Sequence, residues 1–155
     1  MNYEEIEAAL ASSEFFKNLE KTDLEKLAAI CKPQSCRAGE YLFLQGDFGE
    51  DLYIIVGGQV FLERSVDLGD RKGSVTIEVL GRGRLLGCWS TLLGDPHILM
   101  SSARCQAPTR LLALKGAALR QMMMENKTFG FNVMERFCFL LRDRVQAAYG
   151  AMERI

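Results

Sequence analysis

Histidine is nearly absent from this chain, since His97 is the single one among 155 residues. One imidazole excludes metal sites that need two or more histidine ligands. An excess of charge is also lacking, because 19 lysines and arginines stand against 20 aspartates and glutamates, for a net charge of −1. Proteins that bind nucleic acid usually carry a basic surface for the phosphates. We therefore expect no direct binding of nucleic acid by this chain.

Long apolar runs and paired cysteine motifs are missing too. No stretch reaches the roughly 18 apolar residues of a membrane-spanning helix, and the acidic segment 1–7 does not resemble a signal peptide. The cysteines contain no C-x-x-C pair that would indicate a metal or cluster site. They are Cys31, Cys36, Cys88, Cys105 and Cys138. We expect a cytoplasmic protein with reduced, mostly buried thiols and no membrane partner.

Glycine divides the sequence into three parts. Of the 14 glycines, 11 lie between Gly39 and Gly94, and the flanks carry helical patterns. This distribution predicts N-terminal helices over 1–34, a β-roll over 35–115 and C-terminal helices over 116–155, within one structural domain. The predicted fold class is mainly β with flanking helices. It is an eight-stranded antiparallel β-roll or jelly roll with short N-terminal helices and a long C-terminal helix.

Local patterns place the N-terminal helices. Apolar residues spaced from Tyr3 to Leu10 lie on one face of a first helix. Thr22 and Glu25 fit a capping box at the start of a second helix. Pro33 is expected to end that helix.

Apolar or alternating segments predict the strands. The Gly57-Gly58 pair has the length and flexibility of a two-residue hairpin turn. The polar segment Asp67–Gly73 is expected to form a hairpin loop. The predicted strand segments are 41–45, 52–56, 59–64, 75–79, 101–105 and 109–114.

The last part predicts a short helix over 116–125 and a long helix over about 128–154. In the long helix, apolar residues recur at intervals of 4, 3, 4, 3 and 4, a heptad pattern that favours pairing of two helices. This seam consists of Met134, Cys138, Leu141, Val145, Ala148 and Met152. We predict a homodimer formed along the seam. Packing of the helix along its own roll is the alternative.

Three segments in register carry a family resemblance. Residues 37–47, R-A-G-E-Y-L-F-L-Q-G-D, are similar to a G-E-x-I-F-x-x-G-D strand pair. Residues 51–60, D-L-Y-I-I-V-G-G-Q-V, are similar to an L-Y-x-I-x-x-G-x-V hairpin, and F-F-K-N-L at 15–19 to an entry turn. Together they resemble the cyclic-nucleotide-binding sensor domains of Crp/Fnr-like regulators such as the catabolite activator protein. The resemblance covers about 15–145 and implies their fold and a non-enzymatic sensory role.

The resemblance implies a phosphate-binding cassette at 86–103. In the family a Gly-Glu pair opens the cassette, the glutamate binds the ribose, and an arginine about ten residues later binds the phosphate. Gly87 matches the glycine and Pro96 a proline before the arginine, but Cys88 replaces the glutamate and His97 the arginine. Hydrogen bonds to charged groups contribute roughly 1.5–3 kcal/mol each, so both departures together predict an affinity lower by about 10²–10⁴.

The same resemblance assigns the ligand-binding residues. Candidate ligands are cyclic AMP, cyclic GMP or another anion, and no catalytic residue, metal ligand or certain cofactor is predicted. Arg144 belongs to the part of the long helix that contacts the base in such regulators. The ligand-binding set is Gly87, Cys88, Trp89, Ser90, His97, Ile98 and Arg144.

The expected function is a sensory domain that couples ligand binding to movement of the dimerising helix. The output is signal transduction or transcription regulation, through a partner or through an output domain that this chain does not contain. One alternative is a haem or redox sensor of the same regulator family, with His97 and Cys88 as iron ligands by type. Another is a ligand-free dimerisation module in which Trp89 fills the ligand space. A cupin-type metalloenzyme is disfavoured by the single histidine.

Overall fold

The computed structural model describes residues 1–95 and 97–155. Within them, eight strands form two antiparallel sheets, preceded by two short helices and followed by a long one, which confirms the predicted fold class. The elements are α1 Tyr3–Ser12, α2 Lys21–Ile30, β1 Cys31–Cys36, β2 Tyr41–Phe43, β3 Asp51–Gly57, β4 Val60–Asp67, β5 Lys72–Leu80, β6 Leu85–Gly87, a short 3₁₀ helix Trp89–Leu93, β7 Ser102–Cys105, β8 Thr109–Lys115, α3 Gly116–Glu125 and α4 Lys127–Met152.

The two sheets face each other to form the roll. One has the order β1-β8-β3-β6 and the other β2-β7-β4-β5. Strand β3 is buried on both faces, because alternate residues point to opposite sides. Leu52 and Ile54 face a core shared with the helices, whereas Ile55 faces the core between the sheets. This two-sided burial explains why β3 reads as an unbroken apolar run.

The start of α2 differs from the prediction. Its N-cap is Glu20, which makes no side-chain capping bond, so the capping box expected from Thr22 and Glu25 does not form. Pro33 lies in edge strand β1, opposite Leu112, rather than ending the helix directly. A proline is tolerated in an edge strand because it removes only one hydrogen-bond donor from the sheet.

The two predicted turns have different outcomes. The hairpin over 67–73 is confirmed, since β4 and β5 pair up to Asp67 and Lys72. Gly58 adopts the expected positive φ of +106°, and a Cβ there would lie 2.7 Å from the Pro108 carbonyl oxygen. The hairpin at Gly57-Gly58 is wrong, because β3 and β4 belong to different sheets. This turn instead carries the chain from one sheet to the other.

Helix α4 has two distinct apolar faces. The inner face is buried against the rest of the domain, through Phe129, Val133, Phe137 and Leu140. The predicted seam lies beside it. Met134 and Ala148 are half-buried, and the exposed members are Cys138, Leu141, Val145 and Met152. Within the described residues, no helix is long and apolar enough to cross a membrane.

Candidate ligand-binding site

The predicted cassette starts where β6 passes very close to β3. Gly87 lies opposite Leu52 with φ at +129°, and a Cβ at Gly87 would lie 2.4 Å from the Asp51 carbonyl oxygen. The next amide, that of Cys88, donates to the same oxygen at 3.1 Å. Only glycine fits this close approach without displacing backbone. The structure thus gives Gly87 a local backbone role at the first turn of the cassette.

The cassette then makes one short 3₁₀ helix, Trp89–Leu93. The Thr91 hydroxyl donates to the Cys88 carbonyl at 2.7 Å, and Gly94 ends the helix in the left-handed conformation at φ +68°. Helix α3 packs against this 3₁₀ helix. The Arg120 guanidinium donates to the Leu92 carbonyl at 2.6 Å, and a Cβ on Gly116 would lie 1.7 Å from the Thr91 hydroxyl oxygen. The cassette helix therefore rests directly on the C-terminal helices.

Three predicted site residues meet at the start of this helix. The Cys88 sulfur lies 3.3 Å from the Ser90 hydroxyl oxygen and donates to the His97 carbonyl at 3.5 Å. Cys88 and Leu99 are both buried, and a Cβ on Gly49 would meet their side-chain carbons at 2.9 and 3.2 Å. The interior at this point is therefore filled by thiol and aliphatic groups. Pro96, the proline of the predicted cassette, lies outside the described residues.

His97 and Ile98 are on the outside of the cassette. The His97 Nδ1 atom lies 3.1 Å from the Ile98 carbonyl oxygen, and Ile98 forms an isolated bridge with Phe48. Both side chains border an open cleft of about 610 Å³ between the cassette and β4. Its lining includes Leu44, Gln45, Arg64, His97, Ile98 and Met100. The cleft thus brings the predicted residues His97 and Ile98 together with Arg64, which the sequence did not suggest.

Trp89 points away from this cleft into the helical core. Its ring centroid lies 5.3 Å from that of Phe137 on α4 and 6.3 Å from that of Phe15. Both distances lie within the usual range of about 4.5–7 Å for aromatic pairs, and both rings are tilted by 49° relative to the indole. Trp89 is therefore a contact between the cassette and the long helix.

Arg144 joins α4 to the rim of the roll. Its guanidinium donates to a Glu78 carboxylate oxygen at 2.5 Å and to the Leu85 carbonyl at 2.9 Å. Glu78 also binds Arg84 at 2.6 Å, and Arg84 lies 2.9 Å from Glu14. Burial lowers the pKa of Arg144, while the Glu78 carboxylate opposes this shift. The structure thus places Arg144 in a four-residue ion network at the β5–β6 edge.

Sequence patterns missed several of these partners. Arg64 on β4 donates to the Met100 carbonyl, and Arg120 on α3 to the Leu92 carbonyl. Each contact joins segments more than 25 positions apart, so no local motif marks it. Among residues 1–95 and 97–155, no group of three or more His, Cys, Asp or Glu side chains is arranged to hold a metal ion.

A model of the cyclic nucleotide-binding domain matches residues 33–126, well over half of the chain. The chain therefore belongs to the cyclic nucleotide-binding domain family. Domains of this family are generally regulatory sensors, and no catalytic family is indicated.

Individual relatives share parts of the chain. The human voltage-gated inwardly rectifying potassium channel KCNH3 is 34% identical over 65 residues, which are 42% of this chain and 5% of the channel. The mouse cyclic nucleotide-gated channel alpha-4 is 35% identical over 80 residues, or 52% of this chain and 13% of the channel. A cyclic nucleotide-binding domain from Methylobacillus flagellatus KT has a TM-score of 0.77 at 24% identity, covering 96% of this chain and 80% of that one. The chain thus spans a small part of either channel and shares its fold with the bacterial domain.

Proposed function

We propose that this chain is a sensory domain in which a small anionic ligand at the cassette shifts α4 relative to the roll. One observation carries the proposal: Trp89, the first residue of the cassette helix, contacts Phe137 on α4 with ring centroids 5.3 Å apart. A displacement of the cassette helix has to change this contact, because buried aromatic groups are close-packed. Ligand binding is thereby coupled to the long helix.

A second contact supports the same coupling. The cassette helix lies on α3 through the Arg120 bond to Leu92 and the close approach of Thr91 to Gly116. Because α3 and α4 are consecutive, both routes lead to the same C-terminal segment. A ligand that binds one arrangement of the cassette better than the other shifts the helices by its difference in affinity.

The proposed ligand is a cyclic nucleotide, cyclic AMP or cyclic GMP, or another small anion. Family membership supports a cyclic nucleotide. The proposed direct contacts are those of Gly87, Cys88, Ser90, His97 and Ile98, whereas Trp89 and Arg144 are proposed to transmit binding to α4 through Phe137 and Glu78. Because Cys88 lies where the family's ribose-binding glutamate would be, the proposed ligand binds without a carboxylate contact to its ribose. The output is proposed to be signal transduction or transcription regulation, through a partner or an attached output domain.

The proposal includes a homodimer along the seam. Leu141, Val145 and Met152 are 37%, 47% and 63% exposed in the single chain. Their heptad spacing fits a second copy of the same helix, in which each seam residue meets its own counterpart. Exposed apolar stripes of this kind are typical of interaction surfaces. We place the protein in the cytoplasm, where its five free cysteines stay reduced.

Titration with cyclic AMP, cyclic GMP and sulfate tests the ligand proposal. At 100 times its dissociation constant a ligand adds about 2.7 kcal/mol of stability, which raises the melting temperature by about 5–10 °C for a chain of this size. Trp89, the single tryptophan, should change its fluorescence in the same titration. The matched control Trp89→Phe should keep the thermal shift and lose the fluorescence change.

A ligand-free dimerisation module is the second candidate, favoured by the burial of Cys88 and Leu99 against Gly49. That candidate predicts no thermal shift with any of the three probes at millimolar concentration, together with an intact dimer. Such a result would reject ligand sensing at the cassette and leave the seam proposal in place.

A further inference from the structure

The cleft beside the cassette carries a basic residue from outside the cassette. Arg64 belongs to β4, opposite Val75 of β5, and lies 33 positions before His97. Its guanidinium donates to the Met100 carbonyl, and Arg64 and His97 both line the cleft. A guanidinium has five donors in a planar fork, so one bond to a carbonyl leaves it able to bind an oxyanion.

The charge around this cleft favours an anion. Of its lining residues that the structure describes, Arg64 and His97 alone are ionisable, and none is acidic. The neighbouring acid, Glu63, is bound to Arg104 at 2.6 Å. Adjacent strand residues point to opposite faces, so Glu63 lies on the other side of the sheet from Arg64. The guanidinium therefore keeps its charge available to the cleft.

The remaining walls favour an apolar body on the ligand. Leu44, Ile98 and Met100 are 47%, 43% and 68% exposed. Two polar side chains of the lining are occupied by backbone groups: the Gln45 backbone amide donates to the Ser102 hydroxyl oxygen at 2.9 Å, and the Ser65 backbone amide donates to the Gln45 side-chain oxygen at 2.9 Å. A volume of about 610 Å³ lies within the range of small-molecule sites.

We propose that Arg64 and His97 form an anion-binding pair in this cleft, which takes the phosphate of a nucleotide-sized organic phosphate. The inference rests on the proposed function and names the residues that recognise its ligand. Arg64 supplies from β4 the guanidinium that the cassette lacks at position 97. Because Arg64 also holds the Met100 carbonyl, phosphate binding is transmitted to the segment 97–102.

Calorimetric titration of the whole chain tests this pair, with cyclic AMP, adenosine and inorganic phosphate as probes. Arg64→Gln should weaken cyclic AMP binding about ten- to a hundred-fold, the effect of losing a charge-assisted hydrogen bond. Arg64→Lys should lie in between, and His97→Asn should weaken binding a few-fold. Arg71→Gln removes the same charge from the exposed β4–β5 loop and should leave the affinity within two-fold. Adenosine should bind weakly and equally to all variants, and inorganic phosphate more weakly than cyclic AMP.

Two results distinguish an error in the Arg64 assignment from an error in the proposed function. If Arg64→Gln keeps its unliganded melting temperature and binds cyclic AMP as tightly as the unmodified chain does, the Arg64 assignment is overturned and the proposed function stands. If the unmodified chain shows no saturable binding of either phosphate probe at millimolar concentration, both are overturned for organic phosphates. Equal affinities for inorganic phosphate and cyclic AMP would overturn the nucleotide-sized ligand alone.

Discussion

Replacing Glu78 by glutamine should release α4 from the edge of the roll. The Glu78 carboxylate binds Arg84 at 2.6 Å and Arg144 at 2.5 Å, and the side chains of Glu78 and Arg144 are 17% and 15% exposed. Each charge-assisted bond contributes roughly 1.5–3 kcal/mol, and the uncharged amide oxygen retains one weaker bond from a guanidinium, of about 1 kcal/mol. The amide nitrogen, a donor, then faces a guanidinium. We expect a loss of about 2–5 kcal/mol, a range that overlaps the roughly 3–5 kcal/mol of a broken buried pair.

Urea unfolding of four variants measures this loss. Glu78→Gln, Arg144→Gln and the double variant form a cycle, whose coupling energy should exceed about 1 kcal/mol because the two groups touch. Asp67→Asn is the matched control: Asp67 lies 3.1 Å from Lys72, but both side chains are more than half exposed, so its loss should be about 0–1 kcal/mol. If Glu78→Gln costs no more than Asp67→Asn, the network does not hold the helix and the reasoning is refuted.

Three further predictions concern the seam, the cassette turn and a buried thiol. Mild oxidation should produce an interchain disulfide at exposed Cys138, seen as a dimer on non-reducing gels, and Cys138→Ser should abolish it. A monomeric product from the unmodified chain would contradict a seam in which two parallel helices bring each residue to its own counterpart. Gly87→Ala should cost about 2–5 kcal/mol in thermal unfolding through backbone strain and overpacking, whereas Gly73→Ala, with no atom within 4 Å, should cost under about 1 kcal/mol. Burial raises the pKa of Cys31 from 9.0 to about 12. Because the folded state favours the neutral thiol, the stability that this preference contributes is present below pH 9. It should be lost as the pH rises from 9 to 12, at up to about 1.4 kcal/mol per pH unit, and Cys31→Ala should flatten that decline.

Local patterns predicted the helices and six of the eight strands because burial imposes them residue by residue, but no segment was predicted for β1 or β6. The 67–73 hairpin, the short helix Gly116–Glu125 and the extent of α4 followed from turn chemistry and apolar spacing alone. Pairing between sheets did not follow. The glycine pair at 57–58 fits a hairpin and a crossing between sheets equally well, since both need positive φ. Pro33 was ambiguous for a related reason, because it suits both the end of a helix and an edge strand.

The candidate site shows the same difference between contacts within one segment and contacts between distant segments. The residues Cys88, Ser90 and His97 contact one another within a single segment, the one that the family resemblance assigned to the cassette. The ion partners of Arg144 and the position of Arg64 depend on contacts between distant strands and helices. A lone arginine among 19 basic residues carries no local signal of that kind. Such residues become visible only when the sheet register is known.

The two faces of α4 are offset by a single residue. Inner residues and seam residues alternate as neighbours in the pairs Val133 and Met134, Phe137 and Cys138, Leu140 and Leu141, and Arg144 and Val145. Consecutive residues lie about 100° apart around a helix, so both faces turn together as one rigid body. A small axial rotation imposed at Phe137 would therefore reorient the seam that we propose for a second copy. The proposed coupling then needs only torsion of one helix, with no hinge or unfolding step.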